Sequence, residues 1–285
     1  MKVLWTRTWM LLLVASLGAC AVHRGPAPAL PPAHDAANAV AWQATSTEYR
    51  WIALQTYRAA TVALDASLAD PYWDALPPHE RDASAEGLPA TVIVDVDETV
   101  LDNRAFQARN VVENRGFDGV AWAEWVRTAR APAIPGAVAF AQSAAARGIT
   151  IHYVTNRGIE LTEATLANLR AEGFPVTDAR YILGRGTPVS DCDEGAGKQC
   201  RRRLVGRAHR VLIVIGDQLG DFMQDAAASA ANIDAAPRDW IGQRWFVLPN
   251  PIYGRWESGL FGHDWSLDEA SRRERKQAVL ESVAQ

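Results

Sequence analysis

Cysteine is scarce in this 285-residue chain, with three residues, an odd number. That excludes a small domain stapled by a disulfide framework. Positive charge is not in excess either. Lys and Arg total 29 against 33 Asp and Glu, for a formal net charge of −4. With no basic footprint, the chain has no electrostatic case for binding a nucleic acid polymer. The composition also excludes a wholly disordered, collagenous or multi-span membrane chain: hydrophobic residues make up 48% and charged residues 22%, near the averages of packed globular proteins. Tryptophan is the one abundance, with 11 residues. These numbers describe a mildly acidic α/β or α-rich globular protein and leave its chemistry open.

The amino terminus reads as an address. Lys2 and Arg7 flank and precede a short apolar run from Trp9 to Ala15, followed by Leu17-Gly18-Ala19-Cys20. A basic start, a short apolar centre and small residues make a secretory signal over residues 1–19. Leu17-Gly18-Ala19-Cys20 resembles the bacterial lipobox, which makes Cys20 the expected lipidation site. Ala21 and Val22 follow, with no Asp beside the Cys. By resemblance to lipoprotein sorting, an exported chain anchored by lipid at the bacterial outer membrane is expected, facing periplasm or surface. The alternative is an ordinary cleaved signal followed by an unmodified Cys20. Residues 20–36, with Pro26, Pro28, Pro31 and Pro32, have a tether's composition.

Residues 37–285 are expected to form a single domain: a helical flank over 37–89, an α/β core over 90–250 and a carboxyl-terminal extension over 251–285. Trp42, Tyr49, Ile52, Ala53, Ala60, Leu64 and Leu68 recur at helical spacing. A loop-rich link punctuated by Pro71, Pro77, Pro78 and Pro89 follows. Val92–Val94, Ile149–Val154, Val211–Ile215 and, more weakly, Trp245–Leu248 read as strands. Helices are expected from Pro135 to Gly148, from Glu160 to Glu172, and through the alanine-rich stretch after Asp221. Alternating strands and helices imply a doubly wound parallel sheet.

In such sheets ligands bind beyond the carboxyl ends of the strands. After the first strand comes Asp95-Val96-Asp97-Glu98-Thr99. Two carboxylates that close repel one another, and a divalent cation removes the penalty. An all-oxygen site of this kind suits Mg²⁺. After the second strand comes Thr155-Asn156-Arg157, whose hydroxyl, amide and backbone N–H groups can hold phosphate oxygens. After the third comes Gly216-Asp217-Gln218-Leu219-Gly220-Asp221. Asp217 can complete a metal site, and Asp221 lies at a helix start, where a carboxylate is favoured. Lys198 lies between the second and third strands. Each piece alone is weak, but their joint occurrence in this order is specific.

In these four segments the chain resembles the haloacid dehalogenase superfamily of aspartate-nucleophile phosphatases. It is similar in particular to the class C bacterial lipoprotein acid phosphatases, also described as a 5′-nucleotidase lipoprotein family. Trp42–Tyr49, Trp122–Val126, Pro135–Val138, Asn168–Arg170, Gly173–Pro175 and Leu248–Gly254 support the resemblance. Gln218 stands where the family usually has Asn. The resemblance implies a haloacid dehalogenase-like α/β fold with an amino-terminal helical extension and small inserted cap elements.

The resemblance also implies a mechanism. Asp95 would be the nucleophile and Asp97 the general acid and then base. Mg²⁺ would be held by Asp95, the Asp97 backbone carbonyl and Asp217, with Asp221 one remove away. Thr155, with Asn156, and Lys198 would bind phosphate oxygens. The implied substrate is a small phosphomonoester such as a nucleoside monophosphate, its base stacked against Trp122 and Tyr253, with Phe117 a looser candidate. Trp122 and Trp125, three apart, could equally be a helix's core face. Cys192 and Cys200 can pair in an exported protein or stay separate. His152 reads as packed, Glu98 and Asp102 as loop-shaping, and Arg201-Arg202-Arg203 as a solvated helix face. Arg157 could fix the acids or contact substrate. A homodimer is allowed by analogy. Other readings of the same scaffold are a phosphotransferase and a non-catalytic surface lipoprotein that binds nucleotide or a partner.

Overall fold

Val92, Ile93 and Val94 are β-branched and apolar on both sides of the chain, which suits a strand covered on both faces. In the computed structural model, which describes residues 33–192, 197–223 and 238–284, they belong to β1 (Ala90–Val94), the central strand of a five-stranded parallel sheet. The expected signal, Cys20 and most of the tether lie outside the described residues, as does the helix expected beyond Asp221. The other strands are β2 (Thr150–Gly158), β3 (Ile182–Arg185), β4 (Arg210–Gly216) and β5 (Trp245–Val247). Their order is β3-β2-β1-β4-β5. Val92 pairs with Ile151 on one side and with Ile213 on the other. The chain therefore winds outward in both directions from β1, and the ends of β1, β2 and β4 converge where such folds bind ligands.

Alternate residues of the strands feed two cores. Val92, Val94, Ile213 and Ile215 pack against Tyr57, Ala60 and Leu64 of α2 (Thr47–Ala69), Phe140 and Ala144 of α5 (Ala137–Ala146) and Leu169 of α6 (Thr162–Ala171). Ile93, Val214, Val154 and Leu183 meet Val205 of α7 (Gln199–Ala208), together with Ala75, Leu76 and Trp245. Burying each Val, Leu, Ile or Phe side chain among these is worth about 1.5–3 kcal/mol. Two short helices, α3 (Arg104–Val112) and α4 (Gly119–Arg127), are inserted between β1 and α5, and α8 (Arg255–Gly259) and α9 (Glu269–Val283) close the chain. Among the described residues no helix is long and apolar enough to cross a membrane.

Several expectations are corrected. The helical spacing that runs from Trp42 to Leu68 is broken at Ser46, whose hydroxyl accepts the Tyr49 N–H at 3.1 Å and starts α2 afresh after α1 (Ala37–Thr45). Ile52 lies off the buried stripe and is exposed. The link after α2 is not a bare loop: Trp73 donates its indole N–H to the Leu212 carbonyl at 2.8 Å, and Ala75 and Leu76 are buried. The helix expected from Pro135 begins two residues later, after Gly136 in the left-handed region at φ 94°. Strand β3 was not expected.

The largest correction is the arginine run. Arg201 and Arg202 are fully buried. Arg202 donates to Glu80 at 2.7 Å through Nε and to the Gly220 carbonyl at 2.7 Å. Arg201 donates to the Gly197 carbonyl at 2.8 Å and to Asn156 Oδ1 at 2.9 Å. Buried guanidinium is tolerated when its fork of donors is met by fixed acceptors. Of the three, only Arg203 keeps part of its side chain exposed, paired with Asp82 at 2.6 Å.

Candidate active site

Beyond Val94 the chain stays in the sheet for one more bond, Asp95 N–H to the Ile215 carbonyl at 2.9 Å. It then turns tightly. Glu98 takes φ 57°, rare for a side chain with a Cβ, and its N–H reaches the Leu101 carbonyl at 2.9 Å. The buried Glu98 carboxylate accepts the Asn103 backbone N–H at 2.8 Å and the Tyr253 hydroxyl. Burial, and then the charge of Asp97, push Glu98 up to about 8. From α2, Tyr57 donates to the Thr99 carbonyl at 2.8 Å. Helix and loop thus hold the turn after Asp95 from both sides.

Asp95, Asp217 and Asp221 come together here, with carboxylate oxygens all within 4.8 Å of one another. The Thr99 hydroxyl lies 3.1 Å from Asp95 Oδ2 and 3.2 Å from Asp217 Oδ1. Asn250 donates to Asp217 Oδ2 at 2.8 Å. Asp221 Oδ2 accepts the backbone N–H groups of Asp217 at 3.0 Å and Gln218 at 2.9 Å. A Cβ on Gly216 would overlap the Asp221 side chain, so the turn needs glycine at the end of β4. Lys198 bridges the group, bonding Asp221 Oδ1 at 2.6 Å and Asp95 Oδ1.

Burial raises the Asp95 carboxyl to about 6; Lys198 opposes this, and Asp221 and Asp97 add to it. Burial and then the charges of Asp221 and Asp95 hold Asp217 well above the usual range. Burial alone would lower Lys198, but Asp221 and Asp95 overcome it and raise the ammonium. One ammonium does not balance three clustered carboxylates, two of them buried. The donors are all oxygen, and a hard divalent cation fits them.

Asp97 sits apart from this group. Its carboxylate accepts Arg157 Nη2 at 2.7 Å and Nε at 3.0 Å, and Asn103 Nδ2 at 2.9 Å. The structure brings Asp221 beside Asp95 and Asp217, with its oxygens taken by Lys198 and two backbone N–H groups, while the Asp97 side chain points to Arg157. Arg157, left open by its sequence context, holds an acid. It lies on β2 itself, because that strand runs on through Thr155-Asn156-Arg157 and does not stop before them. Gly184 on β3 allows the approach: a Cβ there would come within 2.8 Å of the Arg157 carbonyl.

Thr155 is buried, its hydroxyl accepting the Arg157 N–H at 3.1 Å. Asn156 is exposed, with its amide oxygen bonded to Arg201. Lys198 stands just ahead of α7, between Cys192 and Cys200, which are joined as a disulfide with Cα atoms 5.7 Å apart. Gln218 donates weakly to Asp217 at 3.4 Å and accepts the Arg255 N–H at 3.2 Å. His152 is packed: its Nδ1 lies 2.8 Å from the Thr91 hydroxyl, and burial lowers it to about 3, which keeps the ring neutral.

The aromatic candidates are partly committed. Trp122 packs edge-on against Phe106 at 5.2 Å, and the Arg157 guanidinium lies 5.7 Å from its ring centre. Tyr253 keeps its ring half-buried and its hydroxyl on Glu98. Phe117 is 70% exposed, 6.4 Å from Trp122. The sequence reading gave no role to Asn103, Asn250 or Trp125, although Trp125 and Asn250 lie in the Trp122–Val126 and Leu248–Gly254 segments that carry the resemblance.

Comparison with known proteins agrees with this fold. The chain is similar to the class C acid phosphatase of Bacillus anthracis, with a TM-score of 0.72 and 29% identity, over 85% of this chain and 94% of that one. A second structure of that enzyme, with tungstate bound, matches at 28% identity and the same TM-score. Among curated proteins, a stem 28 kDa glycoprotein of Glycine max is 23% identical over 163 residues, and acid phosphatase 1 of Solanum lycopersicum is 27% identical over 162. Those matches span 59% and 57% of the curated chains, less than two thirds of their length. The family described as HAD superfamily, subfamily IIIB (acid phosphatase), matches residues 26–256. The chain belongs to this acid phosphatase family of the HAD superfamily.

Proposed function

We propose that the protein is a Mg²⁺-dependent phosphomonoesterase acting on nucleoside monophosphates and similar esters through an aspartyl-phosphate. One observation carries the reading. Asp95 and Asp97, two residues apart, lie in opposite surroundings: one within a buried carboxylate group beside an ammonium, the other half-open and held by Arg157 and Asn103. A nucleophile and a proton carrier need that division.

The Asp95 carboxylate attacks phosphorus, forming an O–P bond as the bond to the ester oxygen breaks. Asp97 gives its proton to the departing alcohol. It then takes a proton from water, which attacks the aspartyl-phosphate and releases phosphate and free Asp95. Asp95, Asp217 and the Asp97 backbone carbonyl would hold the cation, with Asp221 one remove away on Lys198; the cation supplies charge neutralisation between carboxylate and phosphate. Lys198 and the Thr155 hydroxyl stabilise the equatorial oxygens. Trp122 and Tyr253 offer ring faces for a base, and stacking is tolerant of base identity. Export and a lipid anchor at Cys20 would place this activity at a bacterial envelope surface. A Cys20→Ser chain is then expected in the soluble fraction.

The test is phosphate release from a nucleoside 5′-monophosphate, with Mg²⁺ or with chelator, in wild type and in Asp95→Asn. Loss of activity in the chelator and in the variant is expected. Activity that persists in both overturns the reading.

A further inference from the structure

Asn103 is fully buried, and its side-chain amide links the loop after β1 to α4. Its amide Nδ2 donates to Asp97 Oδ1 at 2.9 Å. Its Oδ1 accepts the Trp125 indole N–H at 2.8 Å, and its backbone N–H goes to Glu98 at 2.8 Å. An indole can only donate, so the amide atom facing it must be the oxygen. That fixes the other end of the amide as the NH₂ group and aims it at Asp97. Trp125 lies on α4 three residues after Trp122, and residues three apart share a helix face. Trp122 underlies the Arg157 guanidinium, the other partner of Asp97. Both partners of this carboxylate are thus braced by one face of α4, while the Asp95 group has no such contact with α4 among the bonds described.

We infer that Trp125 is a positioning residue for the proton transfer: through the Asn103 amide it sets the direction of the Asp97 carboxylate. The inference rests on the proposed function, since it gives Asp97 an ester oxygen to serve. Trp122 is a poor probe of it, because the same ring is a candidate for stacking substrate. Trp125 is clean: its N–H is spent on Asn103.

Leaving-group dependence at one pH reads this directly. An alkyl phosphate such as a nucleoside 5′-monophosphate needs its leaving oxygen protonated, whereas p-nitrophenyl phosphate leaves as a stable anion. The ratio of kcat/KM for the two esters does not depend on how much of a preparation is folded. Wild type, Trp125→Phe and Asp97→Asn are compared with Mg²⁺ present. Trp125→Phe keeps the ring and removes the N–H. It is expected to lower kcat/KM for the nucleotide about 10-fold, the scale of a slightly misplaced catalytic group, and to change the aryl ester less than 2-fold. Asn103→Leu should show the same skew, more strongly. If Asp97→Asn skews the ratio and Trp125→Phe lowers both esters equally, the positioning inference is overturned and the assignment of Asp97 stands. If Asp97→Asn itself leaves the ratio unchanged, the proton-carrier reading fails, and the inference with it.

Discussion

The two sides of this site, two residues apart on one strand end, are built by opposite means. The Asp95 side is crowded with like charge: three carboxylates from the ends of β1 and β4 lie together around one lysine. The Asp97 side is balanced locally, by Arg157 from β2 and by an amide aimed from behind. The first arrangement gathers like charge, which suits the cation site proposed above. The second holds a carboxylate in one direction and leaves it an open edge, so it suits a group that exchanges protons. The contrast shows that residue type at a strand end says little until the partners are counted.

The comparison can be broken from either side. Asp95→Asn removes the nucleophile, and phosphate release should fall by at least roughly 10⁴-fold for every ester, as when an essential nucleophile is deleted. Asp97→Asn should cost about 10²–10⁴-fold on alkyl esters, the usual worth of a general acid, and far less in the bond-breaking step of p-nitrophenyl phosphate. Gly216→Ala disturbs only the carboxylate side, because its Cβ overlaps Asp221. Calorimetry should find Mg²⁺ bound about 10–100-fold more weakly, the scale of a lost supporting contact. The preference between alkyl and aryl esters should be unchanged. If that preference shifts too, the two sides are not separable.

A thermal measurement sharpens the contrast further. Asp95 is raised to about 6 and Glu98 to about 8 in the fold. A carboxyl raised on folding binds its proton more tightly when native, so its contribution is most favourable below the unfolded value. That contribution is lost as pH rises to the folded value. Metal-free protein should therefore lose thermal stability from about pH 4 to pH 8. Mg²⁺ should raise the melting temperature more at pH 8 than at pH 5, since it binds the ionised carboxylates. Equal stabilisation at both values would show that the carboxylates are not the ligands.

Much of the carboxylate side was legible in the sequence. Asp95 and Asp217 directly follow strands rich in β-branched residues, and Asp221 lies four residues beyond Asp217 in the same turn. The Asp97 side was not legible. Asn103 carries no spacing that marks it, and the three-residue step from Trp122 to Trp125 marks only a shared helix face, since their contacts depend on α4 folding back over the loop. Arg201 and Arg202 look like a solvated run because their acceptors, Glu80, Asn156 and backbone carbonyls, are distant in sequence or carry no side-chain signal. Strand β3, Ile182-Leu183-Gly184-Arg185, is too short and glycine-interrupted to show a strand pattern. Its glycine is present because the Arg157 backbone passes against it. Local pattern revealed the elements and the clustered acids, whereas tertiary contact built the surroundings of Asp97.

The division of labour is tested most directly in Asp97→Asn turning over p-nitrophenyl phosphate with Mg²⁺. The aryl group needs no proton to leave, so the first step should run, while hydrolysis of the intermediate loses its base. The account predicts a burst of one p-nitrophenolate per active site, with a phosphoryl group recovered by mass spectrometry on the peptide carrying Asp95. No burst, or a phosphoryl group on any other residue, would contradict it.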